Sequence, residues 1–438
     1  MIKNYRIRRI LAPTVGVRGA IIAAVFGFIL FALGFMVSFR AILGPLVENV
    51  TTHYSSWVSR LVPEGQVEKV THVLGGGALV LGFYMVFRGL RKLLRRLIET
   101  LNPAMKSGMV NTFVRRQQLA QGPKIVALGG GTGLSTLLRG LKQYSSNITA
   151  IVTVTDDGGS SGRLSAEMGI IPPGDIRNCL VALADAEKVV GDLFQHRFGK
   201  EAGSLSGHSL GNLLIAGLIQ RSDGDYDRAL KMASEVLNIR GRVLPSTMER
   251  VGLRAMLEDG SEVTGETTIA ASGRRIRRLY VEPPDCTPFA DAIAAIEEAE
   301  VITIGPGSVF TSVIPNLLIP EIAEAIERSN ALKIYVCNVM TQPGESDSFT
   351  AAEHLVALQA NVPHRVVDYV VVNSGVPSAT TVEKYRTSNQ FVVEPDVDRI
   401  RAMGFKVLLG NFVNELDYVR HDPFKVAGRI ADLFQKKR

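Results

Sequence analysis

Lys124-Ile125-Val126-Ala127-Leu128-Gly129-Gly130-Gly131-Thr132-Gly133 decides the fold, because an apolar strand runs straight into a glycine turn and a helical pattern, 134–141, follows at once. Gly129, Gly130, Gly131 and Gly133 lack a Cβ. The chain can therefore turn tightly, present consecutive N–H groups and let an anion approach the positive end of the next helix, with Thr132 adding a hydroxyl. A nucleotide-type ligand is the first expectation. Plain strand-to-helix packing is the alternative while the turn is taken alone.

Working outward, strand and helix patterns alternate. Apolar runs at 125–128 and 148–155 are followed by helices around Leu180 and Leu213; a second round opens at 301–304, 334–338 and 369–373. Alternation of this kind predicts an α/β, Rossmann-like, doubly wound and mostly parallel sheet with ligands at the carboxyl ends of its strands. Between the rounds, 251–257, a Glu258-Asp259-Gly260 turn and 263–269 predict a hairpin, with 277–282 as a third strand. These make a small β insertion at about 243–283, whose Arg274, Arg275, Arg277 and Arg278 fit a solvated face.

The chain has 438 residues, enough for more than one domain. Its net charge of +7 is unevenly shared: residues 1–122 hold 16 Lys and Arg against 4 Glu, leaving 33 basic against 38 acidic residues beyond. A nucleic-acid protein would carry the excess on its folded domain, so no nucleic-acid partner is expected. Cys179, Cys286 and Cys337 are far apart and lack metal-ligand spacing, which predicts reduced buried thiols.

Residues 20–39 carry no charge and have the length to span a bilayer as a helix; 70–87 is a second, shorter candidate that ends on Arg88, Arg91, Lys92, Arg95 and Arg96. Lys3, Arg6, Arg8, Arg9 and Arg18 precede the first, so both ends of a transmembrane hairpin (1–88) are expected in the cytoplasm. A basic juxtamembrane linker, 89–122, then leads to a nucleotide-binding domain at 123–438. The expected location is the cell membrane, multi-pass, with that domain inside the cell.

Five polar loops follow the strands. In 155–163, Asp156 and Asp157 suit ribose hydroxyls or Mg²⁺ held with a nucleotide's phosphates, Ser160 and Ser161 supply hydroxyls, and Arg163 a guanidinium for phosphate. An Asp-Gly turn is the plain alternative. Asp175 and Ser209 are N-cap types, and Asn178, His208 and Asn212 crowd the same helix starts beside Arg177. The turn Gly305-Pro306-Gly307-Ser308 repeats the opening logic and leads to Thr311, Ser312 and Asn316; 338–346, headed by Asn338, follows its own strand alike. So many polar groups at one sheet edge predict a large ligand.

Taken in order, 129–133, 155–163, 172–178, Phe194-Gln195-His196-Arg197-Phe198, 207–212, 305–316 and 337–345 resemble the gluconeogenesis factor family, also called YvcK-like, within the CofD-like superfamily of the 2-phospho-L-lactate transferase. The likeness covers about 123–432. It implies a Rossmann-like domain that binds a UDP-sugar such as UDP-N-acetylglucosamine and serves cell shape and envelope synthesis during gluconeogenic growth, with envelope-synthesis proteins as partners. It also implies ligand contacts from Tyr385, stacking on the base, and Arg420. The membrane hairpin departs from the family's short members, and Pro172-Pro173-Gly174-Asp175 departs from the transferases' Ser-Pro-Asp-x-Asp, so deazaflavin chemistry is not carried over.

A UDP-sugar sensor is thus the first reading, without an evident nucleophile and base pair. The second is a Mg²⁺-dependent phosphoryl-type transferase using Asp156 and Asp157 as metal ligands, with His208 as acid or base. An NAD dehydrogenase is disfavoured, since Leu134 stands where Gly-x-Gly-x-x-Gly needs its last glycine. The doubled strand-and-loop design is compatible with a homodimer.

Overall fold

The computed structural model describes residues 26, 30, 40–60, 62–67, 69–70, 73–74, 76–77, 80–85, 87–89, 92, 109–415 and 419–437. The chain divides into two units, Met1–Arg115 and Arg116–Arg438. In the first, the helix Arg40–Val58 and a shorter apolar helix, Val80–Gly89, are present. The expected span 20–39 lies almost wholly outside the described residues. Among those described, no single helix is long and apolar enough to cross a membrane. Residues 71–72, 75, 78–79 and 86 of the second expected span, 70–87, also lie outside the described residues. Several large apolar side chains there, Val80, Phe83, Met85 and Phe87 among them, are nonetheless exposed. A helix, Met109–Ala120, occupies the carboxyl end of the basic linker.

The second unit is built on a seven-stranded parallel sheet. The chain lays down β1 (Ile125–Gly129), β2 (Ile148–Val152) and β3 (Arg242–Pro245) side by side, and then a separate antiparallel sheet of β4 (Gly252–Leu257), β5 (Glu262–Thr264) and β6 (Ile276–Glu282). It returns to the other edge of β1 with β7 (Val301–Ile304), β8 (Leu332–Val336), β9 (Tyr369–Asn373) and β10 (Lys406–Gly410). The order is β10-β9-β8-β7-β1-β2-β3, every pair parallel.

The central strands β1, β2, β7, β8 and β9 alternate their side chains between two cores. Val126, Leu128, Ile302 and Ile304 join one core with helices Ala290–Glu297 and Ala351–Asn361. Ile125, Ala127, Val301 and Val336 join the other with Gly131–Leu141, Gly174–Leu183 and Pro423–Lys437. Burial on both faces is why these strands are apolar throughout.

Two expectations need correction here. Residues 243–245 belong to β3 of the main sheet, so the β insertion starts later than expected, at β4. Residues 263–269 are not one strand: β5 stops at Thr264, and Gly265, at φ +94°, turns the chain into a helix, Glu266–Ala271. The basic run does lie on a solvated face, where exposed Arg274 pairs with Asp259. Cys179, Cys286 and Cys337 are free and buried.

Candidate functional site

β1 is hydrogen-bonded to β2 on one side and to β7 on the other, and the chain leaves β1 toward one edge but β7 toward the opposite edge. That divergence is the switch point where parallel sheets open a crevice. The two glycine turns, after β1 and after β7, meet there. A Cβ on Gly133 would lie 2.4 Å from the Pro306 carbonyl oxygen, so only glycine fits. The Ser312 side chain borders both turns, within 3.4 Å of a Cβ built on Gly130 and 3.2 Å of one on Gly307.

A cavity of about 520 Å³ opens on these turns. Gly130, Gly131, Thr132 and Gly133 line it with Gly307, Ser308, Ser312 and Asn338; Tyr385 and Arg420 complete its wall. All ten were expected from the sequence. Thr341 and Gln342, from the expected 338–346 loop, also line it, with Gln390 and His421, which tertiary structure brings there. Tyr385 sits on the exposed helix Ala379–Arg386, and its hydroxyl accepts from the Val419 N–H at 2.8 Å. Arg420 and His421 form β12, which pairs antiparallel with β11 (Val413–Asn414). Burial holds the His421 imidazole down at about 4.

The N–H groups of the turns are partly engaged. Asp175 is not an N-cap: its helix starts at Gly174 after Pro173, and the Asp175 carboxylate instead accepts the Gly131 N–H at 2.6 Å. A resident negative charge thus occupies the start of helix Gly131–Leu141, where the sequence predicted a ligand's anion. Burial pushes the Asp175 carboxyl up to about 6, against the pull of the Gly131 hydrogen bond. In the second turn, Asn338 accepts from Gly307 N at 3.1 Å and donates to Gly307 O at 2.8 Å. Ser308 donates to Glu345, and the Thr311 hydroxyl lies 3.0 Å from the same carboxylate. Asn316 is buried and braces the first turn by donating to the Gly129 and Ser312 carbonyls at 3.3 and 2.9 Å. Gly305 needs its φ of +75° to make the turn.

The remaining predicted residues do not line this cavity. Asp157 accepts from the Thr267 N–H at 2.9 Å and the Thr267 hydroxyl at 2.6 Å, and so fastens the β insertion's helix. Asp156 accepts from Gly158 N at 2.9 Å, and burial raises its carboxyl above the usual range. Both carboxylates thus have protein donors, and no three His, Cys, Asp or Glu side chains among the described residues are grouped to hold a metal ion by themselves; the expected Mg²⁺ contact relies on a nucleotide's phosphates as well. Glu266, unforeseen because its segment reads as strand, is half-buried near Asp156, Asp175 and Glu345; desolvation first, then those charges, push it up to about 9.

Behind Asp175 lies a buried polar network. Arg177 donates to Ser209 at 2.6 Å and to Asn212 at 2.8 Å with one nitrogen, and to Asn178 at 2.9 Å with another. Ser160 lies 3.1 Å from the His208 Nδ1 and accepts from Asn212 at 3.0 Å, while Ser161 accepts from Gly174 N. Ser209 does cap its helix, as expected, by accepting from Asn212 N. Burial, and then Arg163, lower the His208 imidazole. Arg163 itself donates to the Ser206 carbonyl at 2.8 Å.

Comparison with known proteins agrees with this architecture. Residues 125–413 match the family model "2-phospho-L-lactate transferase CofD". A Bacillus subtilis protein named gluconeogenesis factor is 48% identical over 73% of this chain and 100% of its own length. A putative gluconeogenesis factor of a Nostoc species is 44% identical over 85% of this chain and 82% of its own; that is more than Arg116–Arg438 alone can supply, so the similarity reaches into the amino-terminal unit. The crystal structure of a upf0052 family member from Bacillus halodurans superposes with a TM-score of 0.68 at 48% identity, covering 70% of this chain and 98% of that one. The chain belongs to the CofD family and, within it, to the gluconeogenesis factors.

Proposed function

We propose that the sheet unit binds a nucleoside diphosphate sugar of the UDP-N-acetylglucosamine type and acts as a ligand-sensing regulator. One observation carries this reading: a cavity of about 520 Å³ at the switch point, walled by two glycine turns together with Tyr385 and Arg420. The aromatic ring suits a base, the guanidinium a phosphate, and the hydroxyls of Thr132, Ser308 and Ser312 suit a sugar or phosphate. Calorimetry on the full chain tests it. UDP-N-acetylglucosamine is expected to bind, with Tyr385→Ala and Arg420→Ala each weakening binding about tenfold or more. Tight binding of an unrelated nucleotide with none of a uridine nucleotide would sink the idea.

The transferase alternative draws on Asp175 and Asp156, half-buried carboxyls that desolvation holds above their usual range beside the first turn. It requires consumption of the nucleotide; intact nucleotide after long incubation with candidate acceptors speaks for sensing.

The amino-terminal unit, in this reading, holds the domain at the inner face of the membrane. The uncharged 20–39, its basic flanks and the exposed apolar side chains of Val80, Phe83, Met85 and Phe87 support it. Release of the full chain from membranes by high salt alone would exclude a spanning anchor. The relatives' name supports a role in gluconeogenic growth, which we extend to envelope synthesis and cell shape. Normal shape of a deletion strain on gluconeogenic carbon sources would remove that extension.

A further inference from the structure

We propose that Arg163, Arg177 and Arg197 form a second anion site, separate from the glycine-turn cavity and suited to a phosphate-bearing small molecule. Their guanidinium groups converge on one short turn. Arg163 donates to the Ser206 carbonyl at 2.8 Å, Arg197 to the Gly207 carbonyl at 3.0 Å and Arg177 to the Ser209 hydroxyl at 2.6 Å. Three cations within four residues of chain repel one another, and burial first, then Arg197, lower the proton affinity of Arg177.

Structural duty alone explains this poorly. A buried arginine is normally matched by a carboxylate, because an unpaired buried charge is costly. Arg177 is 5% exposed, yet its hydrogen-bond partners are the neutral Ser209, Asn212 and Asn178, and its Nε has no partner at all. Arg163 and Arg197 each donate to a backbone carbonyl, which leaves most of each guanidinium fork for other acceptors. The acids that act here do so at longer range: Asp156 and Asp175 on Arg177, Glu167 on His208. A bound anion would complete this arrangement, and guanidinium forks match a phosphate's oxygens.

The site is distinct from the cavity. None of the three arginines lines the cavity, and the Asp175 carboxylate, which accepts the Gly131 N–H, is also the strongest attraction on Arg177. A phosphate held by the arginines would be a second ligand, recognised apart from the first.

Phosphorus NMR of inorganic phosphate added to the full chain, at constant ionic strength in chloride, tests the assignment. The native chain is expected to broaden the phosphate line. The double variant Arg163→Gln with Arg197→Gln should bind about tenfold more weakly or not at all. Both side chains are exposed, and an unchanged melting temperature in chloride shows that the fold is kept; if the double variant unfolds, Arg163→Gln alone is read instead. The Arg277→Gln variant, which removes an exposed arginine on the solvated face of the β insertion, should broaden the line as the native chain does. No broadening by the native chain, equal broadening by the double arginine variant, loss of broadening in Arg277→Gln, or displacement of phosphate by equimolar acetate would each overturn the proposal.

Discussion

The two glycine turns look alike in sequence and differ in what holds them. Both follow a buried parallel strand, both lead into a helical turn, and they touch at Gly133 and Pro306. The first is held by a carboxylate, Asp175, on the Gly131 N–H; the second by a neutral amide, Asn338, on both polar groups of Gly307. Each turn therefore has a carboxyl near a helix start, but in the first it sits directly on a glycine N–H, whereas in the second Glu345 is held by Ser308 and Thr311, beyond the Asn338 clamp on Gly307. The difference shows that a glycine turn specifies backbone shape, whereas the groups packed behind it decide how strongly it attracts an anion.

The largest effect is expected where the turns meet. Gly133→Ala would drive a methyl group against the Pro306 carbonyl and cost about 3 kcal/mol by denaturant unfolding, with loss of ligand binding. A cost below about 1 kcal/mol would show that the turns separate freely.

The charge contrast is tested next by pH. The Asp175 carboxyl is raised from 3.8 to about 6, so the folded chain keeps this proton to a higher pH than the unfolded chain. Its contribution is fully present below 3.8 and is lost as pH rises through about 6. Asp175→Asn keeps an acceptor for Gly131 but removes the titration, and should erase about 3 kcal/mol of pH-dependent stability across that window. An identical pH slope in native and variant chains would place the titration elsewhere.

For the second turn, Asn338→Ala removes two hydrogen bonds and should cost about 1.5 kcal/mol with no change in pH slope. A changed slope would break the contrast between the turns. The smallest effect is expected for Gly131→Ala. The nearest atom is the Ser312 hydroxyl at 3.8 Å, so only the φ of +60° opposes the methyl group, at about 1 kcal/mol in thermal unfolding. A much larger loss would mean that the Asp175 contact tolerates no backbone adjustment.

Much of the fold was legible. β1, β2, β7, β8 and β9 are apolar because both their faces are buried, and such runs announce themselves. β3 was absorbed into the expected insertion because only four residues, Arg242–Pro245, mark it and they end on a proline. Glu266 was hidden because the Val-Thr-x-x-Thr-Thr-Ile content around it favours strand, while Gly265 makes a left-handed turn that content does not reveal. At the site, the glycines, Ser308, Ser312 and Asn338 were found from strand-to-loop position. Tyr385 and Arg420 came from family resemblance, since no local pattern ties them to residues some 250 positions earlier.

The sequence by itself determined the strand and helix alternation, the two glycine turns and the family, because these rest on local periodicity and on residue types that the backbone demands. Only the tertiary structure decided which polar side chains face the cavity and which are spent on the protein itself. Asp157 went to Thr267, Asn316 to Gly129 and Asp175 to Gly131. Hydrogen-bond partners distant in sequence compete for the same donors, and that competition is settled by packing in three dimensions.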